Sequence, residues 1–266
     1  MDWALSAEQI QQYRAQGYLS PVTAFTAQEA SVLRVQLEAF EAAHRDKAKR
    51  TDIHLLESWA WDCVHNRRIL DPVVSLLGPD VLLWSVQWFI KEPQDEKFVS
   101  LHQDANYWGL EPHDVLTAWI ALSDASEATG PMGFVPGSHR GELYAHENTF
   151  AANNLLSRGQ TAKVDGSTLP YTLAPLAAGQ MSLHHVRLLH GSGPNQTDDR
   201  RIGMVLRFCA THVRQTKAPD TAVLVAGQDA YSHFQLQPAP NPNDPSGTAE
   251  RHAYSAQQLA KIVMMD

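Results

Sequence analysis

The order of its apolar segments constrains this chain most: helical patterns come first, short strand-like runs follow, and the two never alternate. Ser6-Ala7-Glu8-Gln9 has the form of a capping box, in which the Ser and Gln side chains satisfy backbone N–H groups at a helix start. Ile10 and Tyr13 share a face behind it, and Gly17 supplies a stop. Thr26-Ala27-Gln28-Glu29 is a second box, followed by Leu33, Leu37 and Phe40 at helical spacing. That helix runs out in the basic cluster Arg45 to Arg50, where cations suit the negative end of the helix dipole. A third helical stretch covers Glu57 to Leu77, broken before Pro72 and ending at Gly78-Pro79.

From residue 81 the character changes. Val81 to Ile90, Val115 to Leu122, Gln180 to Leu189 and Ile202 to Val213 are runs rich in Val, Ile, Leu, Phe and Trp. Turn clusters bound them: Glu92-Pro93, Thr129-Gly130-Pro131, Pro136-Gly137-Ser138 and Gly191-Ser192-Gly193-Pro194-Asn195. Helices before strands, without βαβ alternation, predict a mainly β domain with α-helices packed outside an antiparallel core. A two-sheet core of the jelly-roll type is the economical form. Residues 238–245 carry four prolines and read as irregular, and Ser255 to Met264 as a last short helix. No repeat, linker or second apolar unit interrupts the pattern. One domain over residues 1–266 is therefore expected, since β barrels and sandwiches reach roughly 200–250 residues as single units.

Composition removes several classes of function. No apolar stretch approaches the roughly 18 residues of a membrane helix, and the start of the chain lacks the basic and apolar pattern of a secretory signal. Cys63 and Cys209 are too few for a disulfide framework or a zinc site, and neither has a thiolate-activating neighbourhood, so a cytoplasmic location is expected. The net charge of -8 argues against nucleic acid or an anionic membrane as partner. A small molecule is left, including a small anion held by one or two buried arginines.

Thirteen histidines invite a test for metal chemistry. In His102-Gln103-Asp104, residues i and i+2 of a strand project from one face, so an imidazole and a carboxylate meet one ion. Alone the tripeptide is a weak signal. A second, distant imidazole completes a two-His-one-carboxylate set, which leaves positions open on non-haem Fe(II). The candidates are His184, His185 and His190. His190 stands where a strand ends and a Gly-rich turn begins, and is the preferred ligand. His184 and His185 lie inside the strand, so at most one faces inward. Arg201 follows eleven residues after His190, with Arg207 six further on and on the same strand face. An inward arginine is costly unless paired, and a bound carboxylate is its natural partner.

Together these residues resemble the phytanoyl-CoA dioxygenase family of Fe(II)/2-oxoglutarate-dependent oxygenases. The resemblance runs from the Ser6–Tyr18 opening through Leu101-His102-Gln103-Asp104 and Thr117-Ala118-Trp119-Ile120-Ala121-Leu122. It continues through the segment Thr129 to His139 and ends in His190 to Asn195 with Arg201 following. It implies a double-stranded β-helix (jelly-roll, cupin-like) with His102, Asp104 and His190 binding Fe(II). It implies that Arg201, helped by Ser192, grips the distal carboxylate of the cosubstrate 2-oxoglutarate. Trp119 and Trp108 match positions that line the cosubstrate and substrate pocket. Gln87 is a further cosubstrate candidate, and Asn106, Tyr107 and Arg207 further substrate-pocket candidates. The chemistry implied is hydroxylation, or another oxidation, of a small molecule by O2, with succinate and CO2 as coproducts. Halogenases of this family carry Gly or Ala in place of the carboxylate; Asp104 fills that position here, which favours oxidation over chlorination.

Other features are weaker. Trp59, Trp61, Trp84 and Trp88 read as core. Gly130, Gly133 and Gly137 lack the strand–helix setting of a phosphate loop. His139 and His146 are undecided between pocket and surface. The Arg45 to Arg50 run reads as a solvated helix end, or else as a hold for a CoA or carrier-protein phosphate. The substrate is expected to be a free polar metabolite, of amino-acid or aminophosphonate type, or a natural-product intermediate. The alternatives are a CoA- or carrier-tethered acyl substrate, or a catalytically silent metal-binding barrel.

Overall fold

The computed structural model describes residues 3–44 and 50–265. Seven strands form the larger sheet, in the order Tyr18–Thr23, Gln180–His185, Val115–Ala121, Arg201–Ala210, Val81–Lys91, Thr221–Ala226 and Gln235–Leu236. Neighbours are antiparallel except the last pair. A smaller sheet of Val99–His102, His190–Ser192, Met132–Phe134 and Thr172–Ala174 faces it across a cavity. This is the two-sheet jelly roll that the strand pattern predicts.

Helices α1 (Ala7–Gln16) and α2 (Ala27–Ala43) both carry complete capping boxes. The Gly17 N–H donates to Tyr13 O at 2.7 Å with φ at 82°, a left-handed conformation that glycine adopts at little cost. Residues 45–49 of the basic run lie outside the described residues, and Arg50 is ion-paired to Glu41. The third stretch departs from expectation. It is two helices, α3 (Ser58–Val64) and α4 (Arg67–Leu77), and the break falls at His65-Asn66 rather than before Pro72. Asn66 Oδ1 accepts the Arg68 N–H at 2.9 Å, so a new N-cap starts α4, which then carries Pro72 inside it. A four-residue turn, α5 (Ala105–Trp108), follows the His-x-Asp. The last helix, α6 (Pro245–Met264), begins ten residues earlier than the apolar pattern suggests. Asp244 caps it and Pro245 sits at its start, where a missing N–H costs nothing, so the proline-rich segment ends by opening a helix.

The Arg201–Ala210 strand is buried along its whole length. Ile202, Met204, Leu206 and Phe208 join Leu37 and Phe40 of α2 and Ile69 and Val73 of α4 in one apolar cluster. The alternate residues Arg201, Val205 and Arg207 line the cavity on the opposite face.

Candidate metal and cosubstrate site

The Val99–His102 and His190–Ser192 strands are antiparallel neighbours that place His190 opposite His102. The ring centroids are 4.2 Å apart. Asp104 reaches them by another route than strand alternation. The strand ends at His102, and Asp104 takes helical angles (φ -59°, ψ -36°) at the head of α5, which turns its carboxylate back. Asp104 Oδ1 lies 3.3 Å from His102 Nε2, and Oδ2 3.9 Å from His190 Nε2. One donor atom from each residue falls within 4.8 Å of the others, and all three side chains are buried. The residue between them is structural. Gln103 Nε2 donates to Arg187 O at 2.7 Å, and its Oε1 accepts from Tyr144 N–H at 2.9 Å.

Both histidines are aimed by their backbone. His102 Nδ1–H donates to Ser100 O at 2.9 Å and His190 Nδ1–H to Leu188 O at 2.8 Å, which leaves Nε2 of each ring facing Asp104. Burial, then the neighbouring His102, push the His190 pKa down to about 4. Burial opposes ionisation of Asp104, but the His102 contact and the charges of His190, His102 and Arg207 bring it to about 2. Two imidazoles and one carboxylate are the donor set that suits a divalent first-row metal with open positions.

His190 does not end the preceding strand, as the sequence suggests. That strand stops at His185, a turn closes with Leu188 N–H on His185 O at 2.9 Å, and His190 opens a strand of the other sheet. His184 is the inward member of its pair. It lines the cavity with its ring centroid 4.8 Å from that of His190, and its Nδ1 has no partner among the described residues. Burial holds it neutral. His185 points away, against His139.

The cavity, about 200 Å³, is lined by Gln87, Tyr107, Trp108, Trp119, Ser192, Arg201 and Arg207 together with the triad. Asn106 is not among its lining; its Nδ2 donates to Tyr144 O at 3.1 Å and faces His146. Trp59, Trp61, Trp84, Trp88, His139 and His146 also stay outside the lining. At one end Arg201 donates to Ser192 Oγ at 3.2 Å and to Phe89 O at 3.4 Å, and its guanidinium carbon sits 5.1 Å from the centre of the Trp119 ring. Gly203 makes that stacking possible, because a Cβ there would lie 2.1 Å from the Trp119 ring. Lys91 completes this end and was missed by the sequence reading. It is fully buried, donates to Ser192 Oγ at 2.8 Å, and also bonds the Gly130 and Gly193 carbonyls. Burial, then Arg201, push its pKa down to about 6. The signal was strand parity: Gln87, Phe89 and Lys91 share one face, and the first two line the cavity. At the other end Arg207 lies over Trp108 and Trp84 and donates to Ser85 Oγ at 3.2 Å.

Polar atoms without partners among the described residues collect around this cavity: Tyr107 Oη, Thr117 Oγ1, and Nε of both Arg201 and Arg207. Buried polar atoms are rarely left so, and a cluster of them marks a surface built for a ligand. Two facing sheets around two imidazoles, a carboxylate and a buried arginine make up the arrangement of a non-haem iron oxygenase.

Comparison with known proteins agrees. The sequence matches the family described as phytanoyl-CoA dioxygenase (PhyH) over residues 2–203, and the chain belongs to that family. It is thus a non-haem iron dioxygenase that depends on Fe(II) and 2-oxoglutarate. A probable alpha-ketoglutarate-dependent hypophosphite dioxygenase of Stutzerimonas stutzeri is 30% identical over 230 residues, 77% of this chain and 78% of the relative. Human peroxisomal phytanoyl-CoA dioxygenase is 27% identical over 148 residues, 53% of this chain and 43% of that protein. The solved structure of the non-heme monooxygenase ThoJ, in its apo form, matches with a TM-score of 0.81 at 32% identity, covering 96% of this chain and 98% of that one.

Proposed function

We propose that His102, Asp104 and His190 hold Fe(II), and that Arg201 and Ser192 take the distal carboxylate of 2-oxoglutarate, with Trp119 and Gln87 alongside. The substrate is a free small polar metabolite, of amino-acid or aminophosphonate type, or a natural-product intermediate. It is seated toward Tyr107, Trp108 and Arg207. When bound, iron, 2-oxoglutarate and O2 together supply an oxidation that leaves succinate and CO2 as coproducts. The observation that carries this reading is the pair of Nδ1–H···O=C bonds, which turn both Nε2 atoms toward Asp104 in a cavity that also contains Arg201.

The chain's own part is to bind, orient and keep water out. Ser100 O and Leu188 O hold the imidazole planes. The Arg201 fork has an unused Nε edge for a carboxylate, and the Trp119 face backs it. Leu155 and Leu156 close the cavity with apolar surface on one side, and Val263 of α6 adds to it. Asp104 stands at the third ligand position, so the product gains oxygen or loses hydrogen and takes up no halide.

Support for a free rather than a CoA-tethered substrate comes from Arg50, whose charge is already met by Glu41. Both cysteines are buried and unpaired, and burial pushes the Cys63 thiol up to about 12, in keeping with a cytoplasmic enzyme of one domain. No helix among the described residues is long and apolar enough to cross a membrane. The test is turnover with Fe(II), 2-oxoglutarate and ¹⁸O₂ over a metabolite panel, read by succinate release and mass spectrometry. The expected product is heavier by one labelled oxygen. A chlorinated product at high chloride would overturn the reading.

A further inference from the structure

Arg201 and Arg207 lie on one face of one strand, separated by roughly 20 Å of backbone. Arg201 has Ser192, Trp119 and Lys91 around it; Arg207 has Trp84, Trp108 and Ser85. One small diacid therefore accounts for one of them. Arg207 is 6% exposed, and its only hydrogen bond among the described residues is the one to Ser85 Oγ. Among the described residues its Nε has no partner, and no carboxylate lies within 4.0 Å of its guanidinium. Two further buried carboxylates, Asp52 and Asp220, are already engaged. Asp52 accepts from Val86 N–H and Ser255 Oγ, and Asp220 from Trp84 Nε1 and Thr221 N–H.

The carboxylates of Asp104 and Asp52 act on Arg207 only from beyond ion-pair distance, and a buried guanidinium gains most from an anion in direct contact. We propose that Arg207 is the specificity residue for an anionic group on the substrate, a carboxylate or a phosphorus oxyanion, which its free guanidinium edge holds beside the metal. Ser85 and the faces of Trp84 and Trp108 fix the plane of that fork, leaving bidentate recognition as its open capacity. The cavity of about 200 Å³ suits small molecules. The proposal rests on the dioxygenase reading above, and its test is binding rather than turnover.

Calorimetric titration of the Ni(II)- and 2-oxoglutarate-loaded protein, which turns nothing over, uses hypophosphite, methylphosphonate, acetate and the neutral acetamide as probes. Wild type is expected to bind at least one anion and to ignore acetamide; the better anion class identifies the substrate's group. Arg207→Gln should weaken that anion at least tenfold, with Ni(II) and 2-oxoglutarate affinities unchanged. Arg207→Lys, which keeps the charge and loses the fork, should fall between and serves if the Gln variant does not fold. Unchanged anion binding in Arg207→Gln, equal binding of acetamide, or no anion bound by wild type would each overturn the proposal. Loss of 2-oxoglutarate binding in Arg207→Gln would overturn it too, by placing Arg207 in the cosubstrate clamp. Failure of wild type to take Ni(II) or 2-oxoglutarate would instead remove the dioxygenase reading, and this inference with it.

Discussion

The two faces of the larger sheet are built from the same strands and do opposite work. Along residues 201–210, the helix-side positions Ile202, Met204, Leu206 and Phe208 are all apolar and fully buried. The cavity-side positions are Arg201, Gly203, Val205 and Arg207. Neighbouring strands repeat the division: Leu116, Ala118 and Ile120 against Thr117 and Trp119, and Leu183 against Ser182 and His184. The first face gains stability from burial and has no polar atom to satisfy. The second buries charges and orphan hydroxyls, which cost stability until a ligand meets them. Fold and function are thus separated by one residue of strand parity.

Variants on each face test that division. The largest effect belongs to the proposed metal donors: His102→Ala, Asp104→Ala or His190→Ala should lower succinate formation by at least about a hundredfold and abolish stoichiometric Fe(II) binding, with the circular dichroism spectrum kept. Normal succinate release by His190→Ala would show that another histidine, His184 first, is the ligand. Phe208→Ala, on the helix side, should cost about 3–5 kcal/mol in chemical denaturation. Its KM for 2-oxoglutarate should not move; if it does, the faces are coupled and the comparison fails.

Arg201→Lys is the counterpart on the cavity side. A point charge replaces a planar fork, so KM for 2-oxoglutarate should rise on the order of ten- to a hundredfold, with metal binding intact. If Arg207→Lys does this instead, the two ends of the cavity are exchanged. The smallest effect is a pH dependence. Burial, then Arg201, lower the Lys91 pKa to about 6, so between there and its unfolded value the unfolded chain holds a proton that the native state has lost. Native stability therefore rises with pH across that window, and the cost of the buried cation is full below pH 6. Against Lys91→Met, ligand-free wild type should gain about 1–3 kcal/mol between pH 6 and pH 8. A constant difference across that range would mean that Lys91 keeps its proton in the fold.

Capping boxes, strand runs and the His-x-Asp were legible because each is a local device whose partner lies within a few residues. Thr26 and Glu29 satisfy each other whatever the rest of the chain does. The split of the third helical stretch was missed because the cap at Asn66 outweighed the more conspicuous Pro72. The early start of α6 was missed because prolines were read as breakers when one of them stood at a helix start.

The site divides in the same way. The sequence by itself determined which residue types were available, among them His102, His190 and Arg201, and that Arg201 and Arg207 shared a strand face, with the family order to name them. Tertiary structure decided the rest. It brought Asp104 in through a helical turn rather than along a strand, and carried the chain between sheets from His185 to His190. It turned Asn106 away from the cavity and set Lys91 against Ser192, 101 residues distant. It also left Arg207 a free guanidinium edge. Parity along one strand is a property of covalent geometry, whereas which neighbours fill the space across a cavity depends on how two sheets close upon each other.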